Sequence, residues 1–332
     1  ADNQRTMSRV RWGVLGAAKI AREKVIPAMM NDAFISSPYF QNDFRGMGSY
    51  LSETGYESYF FHGGTNGSLQ FDQFIEKAGF TQYYGRTEYD NDKDFDGNWG
   101  IFDEPFLQFM ADELSAKQEP FAAVTFTLSS HHPFTIPAQY KGKFKKGPLL
   151  IHEPVGYSDY ALEQFFKTAS TQPWFDNTIF IITADHTGPV FNDHYKNRVG
   201  HYAVPVVVYV PSAGKHLEID YTVQQTDILP TVLDLAGFEG RHTGFGNNLF
   251  DENAFRYSIN ERSNIYQIIS NGYALHHDGK QTIGLYHYKE DPMLRQNLKG
   301  TGLGKEILLA EKLKAAVQNY RHLLIHNELV AK

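Results

Sequence analysis

Ile179-Phe-Ile-Ile-Thr-Ala-Asp185-His186-Thr187-Gly188 is an apolar run that ends on a carboxylate and an imidazole. Hydrophobic residues without alternation read as a strand buried on both faces, as in a parallel sheet. Such a sheet opens its ligand crevice at the carboxyl ends of its strands, and Asp185 and His186 fall at such an end. Working outward, similar runs occupy 10–15, 58–61, 122–128, 178–183 and 204–210, all hydrophobic enough for burial on both sides. Helical patterns lie between them at 44–53, 71–78, 104–114, 159–169 and 226–236, with Pro230 in a first turn where its missing N–H costs little. The alternation predicts an α/β fold, a mixed sheet flanked by helices on both faces. Past residue 250 the texture changes. Residues 273–276 and 282–288 flank Asp278-Gly279, which predicts a small antiparallel hairpin appendage, and 306–324 predicts a closing amphipathic helix.

Composition narrows the function. The 332 residues can bury a large core. A formal charge of −7, with no Lys/Arg run of five or more, argues against a general affinity for nucleic acid or an anionic membrane surface. The absence of cysteine excludes disulfides, thiolate nucleophiles and cysteine-ligated metals. No apolar run is long enough to span a bilayer, so the chain as given reads as soluble.

Four motifs carry possible chemistry. Asp185 and His186 offer a hard oxygen and a neutral nitrogen, a mixture that suits Mn²⁺ or Zn²⁺ better than Ca²⁺; an Asp capping a turn beside an incidental histidine is the equal alternative. Ser129-Ser130-His131-His132-Pro133-Phe134 follows a second strand, and a histidine there could donate to a phosphate or sulfate oxygen or protonate a leaving group. Phe61-His62-Gly63-Gly64 follows a third, with glycines that could let backbone N–H groups approach an anion. Convergence of these three histidine-bearing strand ends on one rim is the structural expectation. Fourth, Gly16-x-Ala18-x-x-Ala21 is a degenerate dinucleotide fingerprint, but no acidic residue ends a second strand about 20 residues later. His194, His201, His276 and His277 read as exposed loop residues, the acidic run 88–96 as a solvated loop, and Trp99 as packing or a rim aromatic for stacking.

From residue 27 to about 245, and beyond, the chain resembles the lipoteichoic acid synthase and phosphoglycerol transferase group of the sulfatase and alkaline phosphatase superfamily. The resemblance rests on Phe61-His62-Gly63, Trp99-Gly100, Ser130-His131-His132-Pro133-Phe134, Gly156-Tyr157-Ser158-Asp159, Ala184-Asp185-His186-Thr187, Tyr202-Ala203-Val204-Pro205 and Gln225-Thr226-Asp227-Ile228-Leu229-Pro230, in order. It implies an alkaline phosphatase-like fold and one divalent cation, Mn²⁺ first with Mg²⁺ or Zn²⁺ as alternatives. That cation would be held by an early Glu, a nucleophilic Thr and an Asp-His pair matched by Asp185 and His186. It further implies a catalytic contact from His131, substrate binding by His62, Trp99 and His132, a phospholipid or glycan headgroup as substrate, no nucleic-acid partner, and a membrane-tethered, extracytoplasmic setting, periplasmic or on the outer face of the membrane.

Two departures qualify the resemblance. The family's substrate-binding Trp and Arg are replaced after the His-Gly turn by Ser68-Leu69-Gln70-Phe71-Asp72, which lacks a guanidinium fork for phosphate. The strand bearing the metal-binding Glu and the segment bearing the nucleophilic Thr are not found before Asn31. Residues 10–27 instead resemble the start of glucose-fructose oxidoreductase and inositol dehydrogenase-type enzymes. The expected organisation is therefore 1–26 as a foreign or misassigned segment, 27–250 as the catalytic core, and 251–332 as a hairpin and helix of the same domain. The expected function is a phosphoglycerol transferase or a phospho- or sulfo-ester hydrolase that lacks its nucleophile. The alternatives are an NAD(P)-dependent oxidoreductase and a non-catalytic envelope binding module.

Overall fold

A computed structural model describes residues 11–15, 38–214, 220–302 and 304–331. The elements run β1 (Arg11–Leu15), α1 (Met47–Glu53), β2 (Glu57–His62), α2 (Phe71–Lys77), β3 (Gln82–Tyr84), α3 (Arg86–Tyr89), α4 (Asp103–Ser115), β4 (Phe121–Phe126), α5 (His152–Ala169), β5 (Thr178–Thr183), β6 (Val206–Tyr209), α6 (Ile228–Leu235), β7 (Ser258–Arg262), β8 (Ile265–Ser270), β9 (Tyr273–His277), β10 (Thr282–His287) and α7 (Gly304–Ile325). Six strands form one sheet in the order β3-β2-β4-β1-β5-β6, parallel except for β6, which runs antiparallel to β5. β1 comes from the stretch read as foreign, yet it is hydrogen-bonded between β4 and β5 in the middle of the sheet.

Strand alternation divides the core. Tyr59, Phe61, Phe121, Ala123 and Phe180 point to one face, where they pack on Phe106, Leu107 and Met110 of α4 and on Ala161 and Phe165 of α5. Phe60, Ala122, Val124, Ile179 and Ile181 point to the other, against Tyr50 and Leu51 of α1, Phe71 and Phe74 of α2, Val232 of α6, and Leu309, Leu313 and Tyr320 of α7. Both faces are covered, as the unbroken apolar runs required.

Two expectations are corrected and one, the antiparallel appendage, is borne out and extended. The 204–210 run is not buried on both sides: β6 is the edge strand, with Val207 48% and Tyr209 40% exposed, because nothing pairs with its far side among the described residues. The appendage is a four-stranded antiparallel sheet, β10-β9-β8-β7, of which the sequence disclosed one hairpin. β7 and β8 are joined by Ser263-Asn264, both at positive φ, a turn that carries no glycine signal. His276 and His277 are buried strand residues (6% and 3% exposed), since β9 is an inner strand covered by α7. A polar chain satisfies one of them: His276 Nε2 lies 2.8 Å from Gln267 Oε1, and Gln267 Nε2 donates to Asn260 Oδ1 at 3.1 Å.

Burial, aided by the positive charge of Arg198, pushes the His276 imidazole down to about 4 from its ordinary 6.5. The folded state thus favours the neutral ring, and this contribution is complete above pH 6.5 and lost as the pH falls from 6.5 towards 4. The span corresponds to about 3 kcal/mol. In urea melts from neutral pH down to about 4, His276→Gln is expected to lose about 3 kcal/mol less stability than the parent chain; parallel curves contradict the assignment.

Candidate active site at the carboxyl edge of the sheet

Because β2, β4 and β5 are parallel, the segments following His62, Phe126 and Thr183 all leave from one edge of the sheet. Asp185 and His186 follow β5 directly. Asp185 Oδ1 accepts the His186 backbone N–H at 2.8 Å, which turns Oδ2 towards the imidazole. His186 Nδ1 lies 2.7 Å from the Thr187 carbonyl, an atom that only accepts, so Nδ1 carries a proton and Nε2 is the ring nitrogen left to face Asp185. That Nε2 stands 3.1 Å from Asp185 Oδ2. Two acceptors this close are stable only with a proton or a cation shared between them.

The pair has the dimensions of a metal edge. Donor atoms about 2.1 Å from one ion and about 90° apart are separated by about 3.0 Å, and 3.1 Å is observed. Among the described residues no third His, Asp or Glu joins the pair, so these residues supply half of a coordination shell at most.

The hollow beside the pair is walled by His201 and Tyr202, by Gln225 and Thr226, and by Ser258 and Asn260 of β7. The sequence left His201 as a loop residue; here it lines the same hollow as Asp185. Gln225 Nε2 donates to the carbonyls of Ala184 (2.8 Å) and Asp185 (3.2 Å), fastening the turn that carries the pair. The residue before it, Gln224, is held by Asp227, a buried carboxylate that accepts the N–H groups of Gln224 (2.9 Å) and Asn247 (2.8 Å) and is raised by burial to about 6.

β1 separates β4 from β5, so the ends of those strands stand two strand spacings apart, about 10 Å. His131 and His132 emerge there beside Trp99, with the Trp99 and His131 rings 4.2 Å apart and Trp99 Nε1 donating to the His132 carbonyl at 2.6 Å. Trp99 is presented by Asp96, whose Oδ1 accepts the N–H groups of Asn98, Trp99 and Gly100 at 2.7, 2.7 and 3.1 Å; part of the acidic run is therefore a clamp and not merely a solvated loop. The histidine loop is held by Asp103, which sequence reasoning missed. Its Oδ1 accepts from the Leu128 and Ser129 amides (2.8 and 3.0 Å) and its Oδ2 from the Ser158 hydroxyl (2.7 Å). Burial raises its carboxyl, while the Leu128 amide and the Ser158 hydroxyl act in the opposite direction. Trp99, His131 and His132 thus form one cluster and Asp185, His186 and His201 another.

His62 departs from the expected rim position. It is 3% exposed, its ring lies against Phe71 (4.4 Å) and Phe126 (5.6 Å), and its Nδ1 meets the Tyr83 hydroxyl at 3.0 Å. The imidazole is turned into the core, so in this structure it does not face a substrate. The neighbouring glycines have a steric reason: a Cβ on Gly64 would come within 2.6 Å of the His62 ring, and one on Gly100 within 2.5 Å of the Gly63 oxygen. The fingerprint at Gly16, Ala18 and Ala21 lies outside the described residues.

Comparison with known proteins identifies the family and the fold. The sulfatase family model matches residues 24–238. The chain belongs to the sulfatase family. It is thus a member of a superfamily of transferases and hydrolases, and the resemblance drawn from the seven stretches is borne out. Lipoteichoic acid synthase 1 of Bacillus subtilis is 27% identical over 234 residues, 64% of this chain and 36% of that protein. A lipoteichoic acid synthase of Staphylococcus aureus is 25% identical over 230 residues, 64% of this chain and 35% of the relative. The chain therefore spans about a third of the length of these relatives. An alkaline phosphatase superfamily protein from Vibrio parahaemolyticus superposes with a TM-score of 0.79 at 22% identity, covering 98% of this chain and 90% of that one. A lipoteichoic acid synthase of Listeria monocytogenes superposes with a TM-score of 0.72 at 17% identity, covering 94% and 92%. The sulfatase family domain and these superpositions confirm the alkaline phosphatase/sulfatase-like fold.

Replacing Asp103 by Ala strands the Leu128 and Ser129 amides in the interior, at a cost of about 3 kcal/mol. Urea unfolding of Asp103→Ala is expected to show a loss of that order; a change below about 0.5 kcal/mol, the scale of an ordinary surface substitution, contradicts the anchoring role.

Proposed function

We propose that this sulfatase-family domain is built for metal-dependent transfer or hydrolysis of a phosphate or sulfate ester on a lipid or glycan headgroup, outside the cytoplasm. The single observation that carries the reading is the Asp185–His186 pair, whose tautomer and 3.1 Å separation match two neighbouring ligands of one divalent cation. Mn²⁺ is the preferred ion, given one hard oxygen and one imidazole nitrogen, with Mg²⁺ or Zn²⁺ as alternatives. Such a cation supplies neutralisation of the ester's anionic oxygens.

The chain's own residues carry the other roles. Asp185 and His186 hold the ion, and Gln225 keeps their turn in place. His131, on the loop after β4 about two strand spacings from the pair, is assigned donation to an ester oxygen or protonation of the departing alcohol. Trp99 and His132 offer a stacking and hydrogen-bonding wall for the headgroup. The core of 27–250 and the 251–332 portion act as one domain, a reading supported by Ile259, Ile268, Leu275 and Leu313 sharing one hydrophobic cluster with Phe60 and Val124. The location and headgroup are supported by the named activity of the lipoteichoic acid synthases it resembles.

With two protein ligands the ion is held weakly. Calorimetric titration with manganese chloride is expected to show one site, weakened at least about tenfold in Asp185→Ala and in His186→Ala; equal affinity in all three proteins overturns the site. Since no match to the family's nucleophilic Thr is found, phosphodiester and sulfate-ester turnover by this polypeptide is expected at background. High turnover that Asp185→Ala abolishes overturns the missing nucleophile and supports the metal pair.

A further inference from the structure

The net charge of −7 hides an uneven distribution. Residues 141–155 contain four lysines and one acidic residue, Glu153, whose Oε1 accepts the Gly142 N–H at 3.4 Å, and residues 120–140 contain no Asp or Glu. All four, Lys141, Lys143, Lys145 and Lys146, are exposed, and they lie in the segment that leaves the carboxyl end of β4 and leads into α5. Lys143 covers the Tyr160 ring at 3.4 Å, whereas no acidic side chain pairs with Lys141, Lys145 or Lys146 among the described residues.

Next to these cations the surface is apolar. Leu150 is 80% exposed and Val155 50%. Phe191, 68% exposed, sits on the segment that follows the Asp185–His186 turn, and residues 186–192 carry no formal charge with the histidine neutral. The two segments touch, since a Cβ on Gly188 would come within 2.7 Å of Ile151 Cδ1. Leu150, Val155 and Phe191 thus leave large apolar side chains open to contact on two segments that touch.

We propose that residues 141–155 and Phe191 form a docking surface for an anionic phospholipid bilayer, placed on the same edge of the sheet as the crevice. Charge complementarity selects the occupant. Unpaired lysines beside protruding apolar side chains match a headgroup layer of negative charge above an acyl boundary, while a neutral protein surface would leave the lysines without counter-charges. The overall acidity of the chain does not oppose this, because attraction to a charged surface decays within a Debye length of about 8–10 Å and is set by the nearest groups. Docking there would turn the Trp99, His131 and Asp185 edge towards the membrane. The inference concerns binding alone and stands or falls separately from the catalytic reading.

Vesicle co-sedimentation of the full polypeptide tests it, using equal parts phosphatidylglycerol and phosphatidylcholine against phosphatidylcholine alone. Binding is expected only to the anionic vesicles, weakening as salt is raised. Each lysine contributes roughly fivefold in partitioning, so joint replacement of Lys141, Lys145 and Lys146 by Gln should cost about a hundredfold, and replacement by Arg little. Leu150→Asp or Phe191→Asp should cost at least about tenfold, with unchanged circular dichroism. Three results overturn the proposal: no binding to anionic vesicles at low salt, binding that none of these substitutions weakens, and binding that depends on the lysines but not on Leu150 or Phe191. The last would mean simple attraction to polyanions. A dimer in solution that Leu150→Asp dissolves would likewise overturn it, by assigning the apolar side chains to a second copy of the chain.

Discussion

The hydrogen bond between His186 Nδ1 and the Thr187 carbonyl, 2.7 Å long, is the constraint on which the functional reading depends. It is short-range and needs no other part of the protein to form, yet it decides which ring nitrogen faces Asp185. With a proton committed to Nδ1, Nε2 is the ring nitrogen left 3.1 Å from Asp185 Oδ2, a contact that a proton or a cation can bridge. A divalent cation bound there would take both donors as neighbouring ligands in place of that proton. The remaining polar architecture of this edge fixes that turn in space: Gln225 grips the carbonyls of residues 184 and 185, and Asp227 holds the segment that carries Gln225.

A second, parallel device supports the other half of the crevice. Asp103 binds the backbone before His131, and Asp96 binds the backbone around Trp99. Buried or half-buried carboxylates thus organise loops through main-chain N–H groups at three places, which is how an acidic protein can hold irregular strand-end loops in fixed positions without disulfides. The acidic residues do structural work inside the rim, while the lysines of 141–146 lie on its outside.

The sheet was legible in the sequence wherever strands are apolar on both faces, because a run such as 178–183 has no other stable environment. Element positions 58–61 and 122–128 followed for the same reason, and 273–276 from the Asp278-Gly279 turn beside it. Legibility failed where an element is short or its residues are mixed. Gln82–Tyr84 is a three-residue edge strand, and Ser258–Arg262 carries Asn, Glu and Arg because it borders a polar hollow. At the site, Asp185 and His186 were visible as the end of a buried strand. Asp103, Gln225 and Asn260 were not, since their partners lie 25, 40 and 7 positions away and spacing says nothing about such contacts. His62 shows the opposite error: the strand end was read correctly, but the direction of its side chain was set by Phe71 and Phe126, which pack around it.

The most direct test of the central claim is anomalous diffraction from a crystal soaked in manganese chloride. The account predicts one strong peak about 2.1–2.3 Å from both Asp185 Oδ2 and His186 Nε2. A map with no peak at that pair, or with manganese only at other positions, would contradict it.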